Sequence, residues 1–191
     1  MAKSIKLEPK IILNSNQLKL TIHRLAYQLI ENHNDFSNSI IVGLQPRGIL
    51  LAKMLHQIIS QKLQKEIDFG ILDHSLYRDD LHLKNSIQTL SENKMPHNIE
   101  NKNIILIDDV LFTGRSIRSA LDALVDYGRP RDIELLVLID RKLHRHMPIQ
   151  AKYVGKTIDS IDSEKVNVSL QNPIEESIVY LTQTNHPSQE P

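Results

Sequence analysis

Four aliphatic residues in a row run straight into two carboxylates and a threonine-glycine turn: Ile104-Ile105-Leu106-Ile107-Asp108-Asp109, then Thr113-Gly114. An apolar run without alternation is the signature of a strand covered on both faces, which is the environment of a parallel sheet flanked by helices. Ligands of such open α/β sheets bind outside the carboxyl ends of the strands, so the aspartates are expected to face substrate rather than core. Thr113, Gly114, Arg115 and Ser116 then open a helix whose Ile117, Leu121, Leu124 and Val125 share one side. A helix N-terminus offers unpaired N–H groups and partial positive charge, which suits a phosphate. Carboxylates repel phosphate, so Asp108 and Asp109 are expected to accept hydrogen bonds from sugar hydroxyls or to orient a magnesium ion. The ligand implied is a phosphorylated ribose. An Asp-Asp pair can also simply end a strand and cap a turn. Neither G-x-x-x-x-G-K-[ST] nor G-x-G-x-x-G occurs, which removes the two commonest nucleotide-binding loops.

The rest of the chain supplies a frame for that segment. Asn14 precedes an amphipathic pattern, Leu18, Ile22, Leu25 and Leu29, that predicts a helix to about His33, with His23, Arg24 and Tyr27 on its exposed face. Strand, turn and helix are expected again at 39–44, Gln45-Pro46-Arg47-Gly48 and 48–63; there glycine would let a ligand approach the backbone closely. Further strands are expected at 67–77, 133–139, 165–170 and 177–181, with Gly128 and Pro130 ending the helix after Gly114. The stretch 78–101 is polar and weakly periodic, as a flexible arm would be, and 183–191 is expected to be a disordered tail. One domain is expected over 1–182.

With no cysteine in 191 residues, disulfides, thiolate metal sites and a cysteine nucleophile are excluded. The pair His144 and His146 lacks a further ligand at a recognised spacing, so no dedicated metal site is expected. Net charge is zero, so contact with RNA would have to be local. No apolar run approaches the roughly 20 residues of a membrane span, and the first ten residues lack the apolar core of a secretory signal. A soluble, cytoplasmic protein without membrane contact is expected.

At these residues the chain resembles the type I phosphoribosyltransferases, whose signature is an apolar strand, two acids and a T-G turn. More narrowly it resembles the PyrR family of pyrimidine-operon regulators. The matching stretches are IIVGLQPRGILLAK, SLYRDDL, IILIDDVLFTGRSIRSALDALVDYGRP and VLIDRKLHRHMPIQAKYVGKTI, followed by SEKVNV. The resemblance implies an α/β fold: a Rossmann-like parallel-sheet core with a flexible arm and a small hood. It implies uracil phosphoribosyltransferase activity, in which uracil and phosphoribosyl pyrophosphate (PRPP) give UMP and pyrophosphate, with Mg²⁺ carried by PRPP near Asp108 and Asp109. Asp108, Asp109 and Arg47 would be catalytic. Gln45, Pro46, Arg47 and Gly48 would form the pyrophosphate loop, with a strained or cis peptide nearby. Arg78 would stand with Tyr77, Asp79 and Asp80 at the base of the arm. Val110, Leu111, Phe112, Thr113, Gly114, Arg115 and Ser116 would complete the PRPP site, and Asp140 and Arg141 the base pocket.

Purine-salvage relatives often carry an acid where Phe112 stands, which shifts weight toward a pyrimidine. The resemblance further implies a homo-oligomer, dimer or tetramer, and a leader mRNA as a partner, contacted by Arg24, His144, Arg145 and Lys156, with Ser160 as a further donor. On the first helix this chain has His23, Tyr27 and Asn32, and further on Gln150, where better-known regulators differ. The alternatives are an RNA-binding attenuator with secondary catalysis and a purine or orotate phosphoribosyltransferase on the same fold.

Overall fold

The computed structural model describes residues 9–77, 93–96, 98–143, 145–161 and 163–183. Its centre is a five-stranded parallel sheet in the order β3-β2-β4-β5-β6, formed by Phe69–Leu72, Ser39–Leu44, Asn103–Leu111, Asp132–Arg141 and Tyr153–Ile158 respectively. Strand β4 lies in the middle and pairs with β2 from Ser39↔Asn103 and with β5 from Asn103↔Asp132. A second, three-stranded antiparallel sheet, β1-β8-β7, combines Lys10–Leu13, Ile178–Gln183 and Glu164–Ser169. This small sheet is the expected hood.

Helix α1, Ser15–His33, starts where Asn14 and Gln17 cap each other reciprocally, Asn14 Oδ1 accepting from the Gln17 amide at 2.9 Å and Gln17 Oε1 accepting from the Asn14 amide at 3.0 Å. Each side chain satisfies a backbone donor that the first turn leaves unpaired. Helix α2, Gly48–Leu63, follows β2, and α3, Arg115–Leu124, follows β4. The two faces of the parallel sheet bury different partners. Ile41, Ile105 and Ile107 pack with Leu18, Leu25, Leu55 and Ile59 of α1 and α2, and with Val166, Val179 and Leu181 of the hood. Ile40, Val42, Ile104 and Leu106 pack with Ile117, Ala120 and Leu124 of α3. Neighbouring strand residues thus face opposite helical layers, which is why these strands read as unbroken apolar runs.

Several boundaries differ from the sequence expectation. Strand β4 does not stop at Ile107 but continues through both aspartates to Leu111, its ladder to β5 running on to Leu111↔Asp140. Backbone pairing does not depend on side-chain polarity, so the carboxylates are carried inside the sheet. Strand β3 is shorter than 67–77; it ends at Leu72, and a 3₁₀ turn occupies Ser75–Tyr77. Strands β1 and β6 were not anticipated. The first is short and borrows its partner from the far end of the chain, pairing Lys10 with Leu181. The second is an edge strand that buries mainly Tyr153. Of the arm expected at 78–101, Lys94 bridges to Ile71, Ile99 is fully buried, and 78–92 lies outside the described residues. So does 184–191 of the expected tail.

Candidate active site

Three strands of the parallel sheet end at one edge, and each delivers site residues there. From β2 come Gln45, Pro46 and Arg47, from β4 Asp108, Asp109, Val110 and Phe112, and from β5 Arg141; with Ser116 of α3 they line a cleft of about 410 Å³. The Gln45–Pro46 peptide is cis, as expected near this loop. The cleft is completed by three residues that sequence reasoning passed over: His74, two places beyond β3, and Lys165 and Val166 from hood strand β7. A histidine shortly after a parallel strand was a usable hint. Nothing local signals that β7 folds back over the sheet edge.

The aspartates are more enclosed than expected. Asp108 is 9% and Asp109 4% exposed, because both are strand residues at the floor of the cleft. Burial, and then the charge of Asp109, pushes the Asp108 carboxyl well above the usual carboxylate range. Burial also raises Asp109, against the opposing charge of Arg47. Asp108 Oδ1 accepts from the Asp109 amide at 2.9 Å. Two desolvated acids side by side are a standing demand for hydroxyl donors or a cation. Among the described residues no cluster of three or more His, Asp or Glu side chains is placed to hold a metal ion.

Gly48 has a packing role in addition to the one expected. A Cβ there would lie 2.2 Å from the Ile107 carbonyl oxygen and 2.9 Å from Asp108 Cα. The absent Cβ lets α2 approach β4 closely. That approach sets Arg47, exposed at the helix start, over the aspartate-bearing end of the central strand.

The turn after β4 is held from behind. Leu111, expected to contact PRPP, points its side chain into the core at 1% exposure, so only its backbone remains for a ligand. Gly114 has φ +91°, a conformation that glycine adopts without strain, and opens α3. Thr113 Oγ1 accepts from the Arg115 amide at 3.4 Å, while the Thr113 carbonyl accepts from the amides of His146 at 3.0 Å and Met147 at 3.1 Å. Arg141 is buried; its guanidinium lies 3.8 Å from the centroid of the Phe112 ring, with Nε donating to Ser160 Oγ at 2.7 Å and Nη2 to the Ile161 carbonyl at 3.1 Å. Phe112 and Arg141 thus form one flat wall of the cleft. Asp140 is not in that lining and pairs instead with Arg145, which also donates to the Phe112 carbonyl.

The residues singled out for RNA do not form one patch of uncommitted cations. Arg24 ties α1 to the edge strand through the Val154 and Gly155 carbonyls, at 3.1 and 2.6 Å, and Lys156 donates to the Ile12 carbonyl at 3.0 Å. Arg145 sits behind the turn as just described, and Ser160 is held by Arg141. Arg78 and His144, expected at the arm and at the RNA face, lie outside the described residues.

Comparison with known proteins agrees with this geometry. A phosphoribosyl transferase domain model matches residues 9–173. The Bifunctional protein PyrR of Actinobacillus pleuropneumoniae serotype 5b is 46% identical over 162 residues, covering 85% of this chain and 90% of its own. The Bifunctional protein PyrR of Bacillus cereus strain AH820 is 42% identical over 166 residues, covering 86% and 92%. Among solved structures, a hypoxanthine-guanine phosphoribosyltransferase from Bacillus anthracis superposes with TM-score 0.65 at 19% identity, covering 92% of this chain and 99% of that one, which is a likeness of fold.

Proposed function

Because this chain belongs to the phosphoribosyl transferase domain family, and within it to the PyrR proteins, we propose that it joins uracil to PRPP, forming UMP and releasing pyrophosphate. The observation that carries this reading is the convergence in one cleft of paired buried carboxylates, an arginine at a helix start, and Phe112 and Ser116 from either side of the turn leading into α3. A uracil ring nitrogen attacks the anomeric carbon as the bond to pyrophosphate breaks, and the proton that nitrogen carried is released to solvent. Charge leaves the ribose and accumulates on the departing group. Asp108 and Asp109 accept hydrogen bonds from the ribose hydroxyls and face the electron-poor sugar, while Arg47, with the loop Gln45–Gly48, meets the growing negative charge. Amides of the turn Phe112 to Ser116 hold the 5′-phosphate, and the Phe112–Arg141 wall flanks the base. Mg²⁺ carried by the PRPP diphosphate would meet Asp108 and Asp109, whose burial suits a cation, and would neutralise pyrophosphate charge.

Phe112 stands beside the base and cannot exchange a proton at neutral pH, which favours a pyrimidine over a purine. Isotope-labelled uracil, hypoxanthine, guanine and orotate should be offered separately with PRPP and Mg²⁺. Conversion of uracil well above the others is expected; faster conversion of a purine or of orotate would overturn the assignment.

The relatives' name, bifunctional, favours a second role as a UMP-responsive regulator that binds leader mRNA. Arg24, Arg145 and Lys156, which would have to exchange their carbonyl bonds for RNA, are with His144 the candidate contacts. RNA affinity should fall with salt and change on adding UMP, and binding indifferent to UMP would remove this role. In this reading the protein works in the cytoplasm as a dimer or tetramer, which sedimentation can check.

A further inference from the structure

The segment linking β5 to β6 does more than cross from one strand to the next. A parallel pair needs a crossover, and among the described residues no helix supplies it; residues 145–147 run instead along the back of the turn that follows β4. Among the described residues, three bonds fasten the two together. Arg145 donates to the Phe112 carbonyl, and the amides of His146 and Met147 both donate to the Thr113 carbonyl. Arg145 also pairs with Asp140, which is the register partner of Leu111, so one guanidinium bridges the ends of β4 and β5 where their ladder stops. Side-chain contact reinforces the seam: a Cβ on Gly114 would lie 3.1 Å from Met147 Cβ and 3.3 Å from Ile149 Cδ1.

A trans peptide is planar, so its N–H points opposite to its C=O. Pulling the Phe112 carbonyl toward Arg145 turns the Thr113 N–H away from the segment. Pulling the Thr113 carbonyl toward His146 and Met147 does the same for the Gly114 N–H. Both amides are thereby presented on the far side of the turn, with the geometry fixed before any anion arrives.

We infer that Arg145 is a positioning residue for the phosphate turn: it holds the Phe112–Thr113 peptide in the orientation that binds the 5′-phosphate of a phosphorylated ribose. This rests on the proposed PRPP site. It gives Arg145 a role within the catalytic half of the protein that does not require RNA. Asp140 fixes the guanidinium, and its place outside the cleft lining follows from that duty.

The test uses the full chain without RNA, measuring affinity for ribose 5-phosphate and, separately, for pyrophosphate, whose proposed loop Gln45–Gly48 receives none of these three bonds. Arg145→Met should weaken ribose 5-phosphate binding and raise the KM for PRPP by about tenfold, the loss expected when one oriented donor to an anion is misplaced. Pyrophosphate affinity should stay within about twofold of wild type by the same argument. A general loosening of the fold would weaken both ligands together. Arg145→Lys, whose compact ammonium can satisfy one acceptor but not the planar pair, should fall between the two. Equal ribose 5-phosphate affinity in Arg145→Met and wild type overturns the inference, as does parallel loss of both ligands. If wild type binds pyrophosphate but no ribose 5-phosphate, the PRPP reading fails and takes this one with it.

Discussion

Replacing Asp108 by asparagine should slow the enzyme steeply and stabilise the protein. The carboxyl is 9% exposed, sits beside a second buried acid, and is pushed well above the usual range by burial first and by the charge of Asp109 second. In the unfolded chain the same group ionises near its ordinary value. A carboxyl raised on folding adds most to stability below the unfolded value and loses that contribution as pH climbs through the folded one. At neutral pH the ligand-free wild type therefore bears the cost of a desolvated, under-compensated acid. Asparagine is nearly isosteric, its Oδ1 can keep the bond from the Asp109 amide, and its NH₂ faces the Asp109 carboxylate. Removing an uncompensated buried polar charge is worth ~1–3 kcal/mol. For a chain of this size that corresponds to a rise in Tm of about 2–12 °C.

Thermal melts followed by circular dichroism between pH 4 and 8, without ligand, should show the two proteins converging at the acid end and separating as pH rises. UMP formation should fall by about 10²–10³-fold, the usual loss when one electrostatic stabiliser is removed. A variant that melts below wild type at pH 7, or a difference that does not change with pH, would refute the account of the floor of the cleft.

Arg47→Ala should lower turnover by about 10²–10³-fold for the same electrostatic reason. Its Tm should move by no more than about 2 °C, since Arg47 is exposed and makes no side-chain cap bond; a large fall in Tm would make it structural instead. Gly48→Ala should destabilise by about 1–3 kcal/mol or more, because the new methyl meets backbone 2.2 Å away, and unchanged denaturant midpoints would contradict the packing. His33 is buried between Ser39 Oγ, at 2.9 Å, and Glu134 Oε2, at 3.1 Å. Burial lowers its pKa more than Glu134 raises it, so the stability it contributes is present above about pH 6.5 and lost as pH falls, when the unfolded chain takes up the proton first. Wild type should lose more stability than His33→Gln between pH 7 and 5, and parallel curves would rule this out.

What the sequence discloses here depends on how local the cause is. Strands β2, β4 and β5 were legible because each is covered on both faces, so Ile40 to Val42, Ile104 to Ile107 and Leu135 to Ile139 had to be apolar whatever lay around them. The start of α1 was legible because Asn14 and Gln17 satisfy each other within one turn. The length of β4 was not, since the polar side chains of Asp108 and Asp109 conceal a backbone ladder whose partner, β5, is set by pairing at a distance. Strand β1 was hidden for the same reason: four residues carry too little pattern, and their register is decided by β8.

The site divides along that line too. Of its charged residues, Asp108 and Asp109 could be read from residue types at a strand end, and Arg47 from the family resemblance. Its supports could not, because the amides of His146 and Met147 serve the turn through atoms that every residue has, and Lys165 joins the cleft only once β7 folds over. A segment whose contribution is made largely through backbone leaves its side chains to suggest some other purpose, as His144 and Arg145 suggested RNA. The reliable signal in such a stretch is therefore which carbonyls it captures, and the one that Arg145 captures, that of Phe112, belongs to the turn proposed to hold the phosphate.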